Sequence, residues 1–162
     1  MDIRPAQSPD DVASVQQLWR EYWESFGLPR DFQGFGDELR DLPGVYAAEG
    51  GVLLLATCKN EPAGKVEPAG TIALRRLDQI SGEVKRLYLR PEFRGHGLGR
   101  RLLEAVIERA IAMRYICLYA DTLPNMMEAL SLYKHAGFER VEAYSKTPTP
   151  GAIYLKLKLG QV

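Results

Sequence analysis

Chemical handles are sparse in this sequence. Its 162 residues include only two histidines and two cysteines, and Lys+Arg equals Asp+Glu at 21 each, so there is no net charge. Cys58 and Cys117 show no paired spacing and fall in strand-like stretches. That excludes a disulfide framework or zinc ribbon and predicts buried, reduced thiols in a cytoplasmic protein. His96 and His135 have no partner at ligand spacing, so no metal centre is expected. Balanced charge gives no global field toward nucleic acid or an anionic membrane, so attraction for an anion must be local. No apolar run nears the roughly 20 residues of a membrane span, the longest being around Val52–Ala56, and Met1-Asp-Ile-Arg-Pro5 is not built like a signal peptide. Internal repeats and interdomain linkers are missing too. A length of 162 residues suits one domain, 1–162, able to bury roughly 70% of its unfolded surface.

What is present is a clear alternation of periods. Asp2 to Ala6 reads as an edge strand. Ser8-Pro9-Asp10-Asp11 caps a helix running to about Phe26, with Val15, Leu18, Trp19, Tyr22 and Trp23 along one side. Its aromatic cluster is either core or the floor of a substrate pocket. A shorter helix is predicted from Phe32 to Leu42, where Asp31, Asp37, Glu38 and Asp41 read as a solvated face. Val52–Cys58 and Gly70–Leu77 form a predicted hairpin, joined by a polar loop over 59–68 that carries two prolines. A strand over Val84–Leu89 ends at Pro91, and from Leu98 a helical stripe of Leu98, Leu102, Val106 and Ala110 takes over. Tyr115–Ala120 reads as a strand covered on both faces. A helix over Met126–His135 and strands over 138–144 and 152–159 complete the chain.

Chemistry concentrates between the Val84–Leu89 strand and the Leu98 helix. Arg94-Gly-His-Gly-Leu-Gly99 places glycines on alternate positions, where the backbone can turn sharply and an anion can reach the free N–H groups of the helix start. Arg94, Arg100 and Arg101 add positive charge, so the physical reading is a pyrophosphate cradle. A Walker loop is excluded because Gly-Lys-Ser/Thr is missing, and the dinucleotide fingerprint fails where Arg100 replaces its third glycine.

Arg94-x-x-Gly97-x-Gly99 does fit the Arg/Gln-x-x-Gly-x-Gly/Ala pattern, and thus resembles the acetyl-CoA motif of the GNAT superfamily of N-acetyltransferases. Ala129-x-x-Leu132-Tyr133-x-x-x-Gly137-Phe138 is similar to a second hallmark of that family. The two together cover about residues 83–140. The resemblance implies a single-domain α/β fold of the α+β type, with a mixed, mostly antiparallel sheet of six to seven strands and about four flanking helices. It further implies acetyl-CoA as cosubstrate, bound by Leu87, Tyr88, Leu89, Arg94, Gly95, His96, Gly97, Leu98, Gly99 and Arg100. Asn125 is a weaker contact, since the family's asparagine would fall at Met126. A primary amine of a small molecule or protein would attack directly in a ternary complex, and Tyr133 would protonate the departing thiolate.

Glu83 is the candidate base, acting through water, with Asp121 in reserve. The implied partners are acetyl-CoA and an amine acceptor, without nucleic acid or membrane, and a homodimer is compatible with the family. Two other readings compete: a non-catalytic acyl-CoA-binding or regulatory module on the same fold, and, less well supported, a nucleotide-binding domain. Tyr133 and Glu83 favour the enzyme, because a pure binder needs neither.

Overall fold

Sequence and geometry agree first at the edge of the sheet. In the computed structural model, which describes residues 1–27, 29 and 34–160, strand β1 (Asp2–Pro5) leads into helix α1 (Pro9–Ser25). The Ser8 hydroxyl accepts from the Asp11 N–H at 3.1 Å, Pro9 occupies the first turn, and the Arg4 guanidinium ties β1 to Asp11 at 2.9 Å. Helix α2 spans Phe35–Asp41; the predicted start at Phe32, and Asp31, lie outside the described residues. Strands β2 (Val52–Asn60), β3 (Lys65–Arg76) and β4 (Ser81–Leu89) follow. Then come α3 (Leu98–Ala112), β5 (Cys117–Thr122), α4 (Met127–His135), β6 (Glu139–Val141) and β7 (Ile153–Lys158).

The seven strands form one sheet in the order β1-β2-β3-β4-β5-β7-β6. All neighbours are antiparallel except β4 and β5. The sheet is the mixed, mostly antiparallel one expected. The period of two explains how Val52–Ala56 can be apolar throughout. Val52, Leu54 and Ala56 pack with α3 and α4, while Leu53 and Leu55 pack with α1 and α2 on the opposite face. Cys58 and Cys117 are buried and unpaired, as predicted. Among the described residues no helix is long and apolar enough to cross a membrane, and no cluster of metal-ligating side chains occurs.

Four boundaries differ from expectation. Strand β4 already begins at Ser81 rather than Val84. The predicted 59–68 loop is mostly strand, because β2 and β3 pair out to Asn60 and Lys65. Pro68 fits there because β3 has outrun β4, whose last partner is Gly70, and a bulge at Ala56/Thr57 absorbs it. The strand read over Tyr115–Ala120 is shifted to Cys117–Thr122, since Tyr115 closes the α3 turn through its N–H to Ala110 O at 3.0 Å. Strand β6 keeps only three of the seven residues predicted over 138–144.

Two irregularities in β4 place the site. Thr71 pairs with Tyr88 and Ala73 with Lys85, so Ile72 alone faces two residues, Arg86 and Leu87. This bulge puts Arg86 in a left-handed conformation, φ 57°, and reverses the facing of everything beyond it. Glu83 and Lys85 share the α1 face; after the bulge Tyr88 takes that face, and Leu87 and Leu89 pack toward α3. The second irregularity is that β4 pairs with β5 only from Ser81/Cys117 to Val84/Ala120. Beyond Val84 the two strands part, leaving a wedge.

Candidate active site

The glycine-rich loop lies at the open end of that wedge. After β4, Pro91–Phe93 makes a single 3-10 turn, and the Arg94 guanidinium folds back to donate twice to Leu89 O, at 3.1 and 3.0 Å. Gly95 and Gly97 take φ of 78° and 77°, the left-handed region, and a Cβ at either would meet nothing within 4 Å. Gly97 is also the N-cap of α3 and offers no side chain to its first-turn N–H groups. A bulky anion therefore finds open space, free donors and the positive end of a helix at one point. Gly99 does something else. It is buried, and a Cβ there would come within 2.8 Å of Leu132 Cδ1, so it sets the close approach of α3 to α4.

Between these helices runs a groove of about 910 Å³, walled by Leu89, Leu98, Leu103, Met127, Leu132 and His135 and open toward Gly95, Gly97 and Arg100. Arg100 lies in it already hydrogen-bonded to Glu104 at 2.7 Å, an exposed pair that an incoming phosphate can displace. Its shape and donors fit a pyrophosphate with an extended, partly apolar arm. Two sequence candidates stand apart. His96 is exposed at the loop crest, and Asn125 is exposed in the Leu123–Met126 turn; neither lines the groove. Tyr88 reaches the other face, where it packs on Tyr22 at 5.5 Å and beneath Arg94 at 5.9 Å.

Main-chain polarity in the wedge follows from the ladder. Arg90 N–H donates to Ala69 O at 3.0 Å, which makes Leu89/Gly70 a non-hydrogen-bonded pair and sends the Leu89 N–H away from β3, into the wedge. Deeper in lies a cavity of about 60 Å³ bounded by Tyr22, Lys85, Leu87, Asp121, Met126 and Tyr133, among others. Tyr133 is 3% exposed, packs edge-on against Phe138 at 5.0 Å, and is held by the Phe138 N–H to Tyr133 O bond at 3.0 Å. Burial, with Tyr22 and Asp121 nearby, pushes its phenol well above the ordinary range, so it stays protonated. Of the aromatic cluster, Trp19 and Trp23 are core, while Tyr22 packs against that core; Tyr22 and Trp23 also wall the cavity.

On the α1 face the cavity opens into a cleft of about 680 Å³. Glu83 is there, inside β4 rather than just before it, 3% exposed and bridging Arg75 at 2.9 Å and Lys85 at 3.3 Å. Glu38 leaves the solvated face expected of α2 and pairs with Arg86, accepting also from the Tyr46 hydroxyl. Burial opposes the Glu38 charge, yet Arg86 and these hydrogen bonds outweigh it and hold the carboxyl below its usual range. Arg86 in turn lies over Trp23, Phe35 and Trp19 at 5.2, 5.4 and 5.9 Å. Lys85, Arg86, Asp121 and Thr149 line both cavity and cleft and so form the throat between them. Sequence reasoning missed Lys85 and Arg86. Their one signal is a pair of cations inside the otherwise apolar Val84–Leu89 stretch.

Comparison with known proteins bears on this geometry. The sequence model of the acetyltransferase (GNAT) family matches residues 13–138. An uncharacterized N-acetyltransferase of Schizosaccharomyces pombe is 31% identical over 162 residues, spanning 99% of this chain and 96% of the relative. Among solved structures, a GNAT-family acetyltransferase from Staphylococcus aureus aligns with a TM-score of 0.81 at 20% identity, covering 98% of this chain and 99% of that one. An aminoglycoside 6'-N-acetyltransferase complexed with coenzyme A aligns with a TM-score of 0.72 at 13% identity, covering 100% and 99%. At such identities the structural likeness is one of fold.

Proposed function

From the membership of this chain in the GNAT acetyltransferase family, we propose that it moves the acetyl group of acetyl-CoA to a primary amine within a ternary complex. When bound, acetyl-CoA supplies an activated thioester. Gly95, Gly97 and the first turn of α3 would hold its pyrophosphate, and the wedge edge of Leu87 and Leu89 its extended arm. The Leu89 N–H, turned away from β3, would be the donor for the thioester oxygen, where charge develops as the amine adds. Bond balance is simple: a C–N bond forms, the C–S bond breaks, one amine proton leaves, and the thiolate gains one.

Tyr133 gives that last proton. Of the two carboxylates, Asp121 is better disposed than Glu83 to take the first. It lines both cavity and cleft and makes no ion pair among the described residues, whereas both Glu83 oxygens are engaged by Arg75 and Lys85. Glu83 can act at one remove, through water. The observation carrying this reading is the buried Tyr133 phenol in the wall of the cavity that joins the cleft on the α1 face. Unpaired, buried Cys58 and Cys117 support a cytoplasmic setting.

The test is release of free CoA from acetyl-CoA across amino acids, polyamines, aminoglycosides and peptides. Release that depends on one class of amine is the expected result. Tight acetyl-CoA binding without release on any amine would leave only an acyl-CoA-binding module.

A further inference from the structure

We infer that the acceptor is a small amino carboxylate, its carboxylate held by Lys85 and its amine by Asp121; the inference rests on the transfer reading above. The fork in the sheet carries it. Val84 and Ala120 are the last paired residues of β4 and β5, so Lys85 and Asp121 are the first residues on the two diverging arms. Both line the throat, yet they form no ion pair with each other. Instead Lys85 turns back toward Glu83 at 3.3 Å, leaving further ammonium donors directed elsewhere.

Charge is divided between the arms. On the β3–β4 side, the cations Arg75, Lys85 and Arg86 meet only two carboxylates, Glu83 and Glu38, leaving one positive charge in excess. On the β5 side Asp121 is negative and without an ion pair among the described residues. Asp78, in the turn between β3 and β4, and Lys146 line only the outer cleft and not the throat, and the Asp78 carboxylate accepts from the Ile80 N–H at 2.9 Å. The throat is thus bipolar, positive on one arm and negative on the other. Strand neighbours lie about 4.8 Å apart where paired and farther beyond a fork. That span accepts a carboxylate and an amine a few bonds apart, with one hydrogen bond at each end.

A diamine would leave the excess positive charge facing its second ammonium, and a simple amine would leave it unpaired. The remaining wall is aromatic. Tyr119, Tyr144 and Tyr154 line the cleft with centroid spacings of 4.8 and 5.2 Å along the row, suited to an apolar or aromatic side chain. In this pose the amine at Asp121 faces the cavity that holds Tyr133.

The experiment compares L-phenylalanine with L-phenylalaninamide, phenethylamine, spermidine and a tripeptide as acceptors. It measures kcat/KM for CoA release and, separately, the thermal shift each gives on CoA-saturated protein. Wild type should favour the free acid over the amide by about 10- to 100-fold, the worth of one charge-assisted hydrogen bond. Lys85→Gln should abolish that preference, mainly through KM, and Lys85→Arg should restore part of it. Equal use of acid and amide, or an acid preference that survives Lys85→Gln, overturns the inference. Efficient transfer to spermidine or the tripeptide with none to phenylalanine also overturns it, while upholding the transferase reading. Lys85-dependent binding of phenylalanine without any transfer would uphold the site and defeat that reading instead. Failure to bind phenylalanine at all overturns the inference outright.

Discussion

At the scale of single residues, Tyr133 is the position where structural and chemical roles must be separated. It is buried among core side chains and its ring is fixed by Phe138, so loss of the oxygen alone leaves the ring in place. Tyr133→Phe should therefore lower the chemical rate by about 10²–10⁴ with cofactor affinity nearly unchanged. A variant turning over within about twofold of wild type when chemistry limits would remove Tyr133 as the acid. Because burial raises the phenol, it should add no alkaline limb to the rate below its ordinary value of 10.0. The base is tested in parallel: Asp121→Asn should cost more at low pH than Glu83→Gln, read from the acidic limb of kcat/KM. The reverse order would return the role to Glu83.

Whole elements meet at two points that stability measurements can reach. Helix α2 is fastened to the β4 bulge by Glu38, Arg86 and Tyr46, and Glu38→Gln leaves the Arg86 charge buried without its partner. Since the Glu38 side chain keeps 20% of its exposure, a loss of roughly 3 kcal/mol is expected, the low end for a broken buried pair, read by denaturant unfolding. The pH dependence has a definite sign. A carboxyl held below its usual value stabilises the fold above 4.5, and that contribution is lost as pH falls through its lowered value. Wild type should thus lose this part of its stability in acid, and Glu38→Gln should show a flatter acid limb. The other junction is α3 against α4. Gly99→Val forces a side chain into Leu132 and should cost roughly 1–3 kcal/mol. Gly97→Val, facing open space but at φ 77°, should weaken cofactor binding more than it weakens the fold. Equal losses in both properties for both variants would mean that the glycines share one role.

For the molecule as a whole, any ligand that binds the folded chain alone is linked to its stability. The groove is built from β4, α3 and α4 together, so a ligand in it binds only the folded chain. Acetyl-CoA at about 100 times its dissociation constant should add roughly 2.7 kcal/mol. For a chain of this size that is about 5–10 °C in melting temperature. A melting curve unmoved by millimolar acetyl-CoA and CoA would contradict the assignment of the groove.

Local periodicity and spacing made the order of elements and the glycine turn before α3 legible, because each depends on neighbours within about ten residues, whereas Tyr133 stood out only through the resemblance of its motif to a family. Ser8 caps its own helix, Pro91 ends its own strand, and Arg94-x-x-Gly97-x-Gly99 is one turn of chain. Contacts between distant segments decided the rest. Nothing local marks that β4 stops pairing with β5 after Val84, or that Arg86 forms a bulge. Yet that bulge puts Lys85 and Leu87 on opposite faces, so that one lines the cleft on the α1 face and the other packs toward α3. Likewise Glu38 reads as one acid among several on a short helix; only the approach of α2 to Arg86 draws it into the interior. Periodicity can say which residues share a face, but a single extra residue in one strand reverses the count, and only its pairing partner shows where.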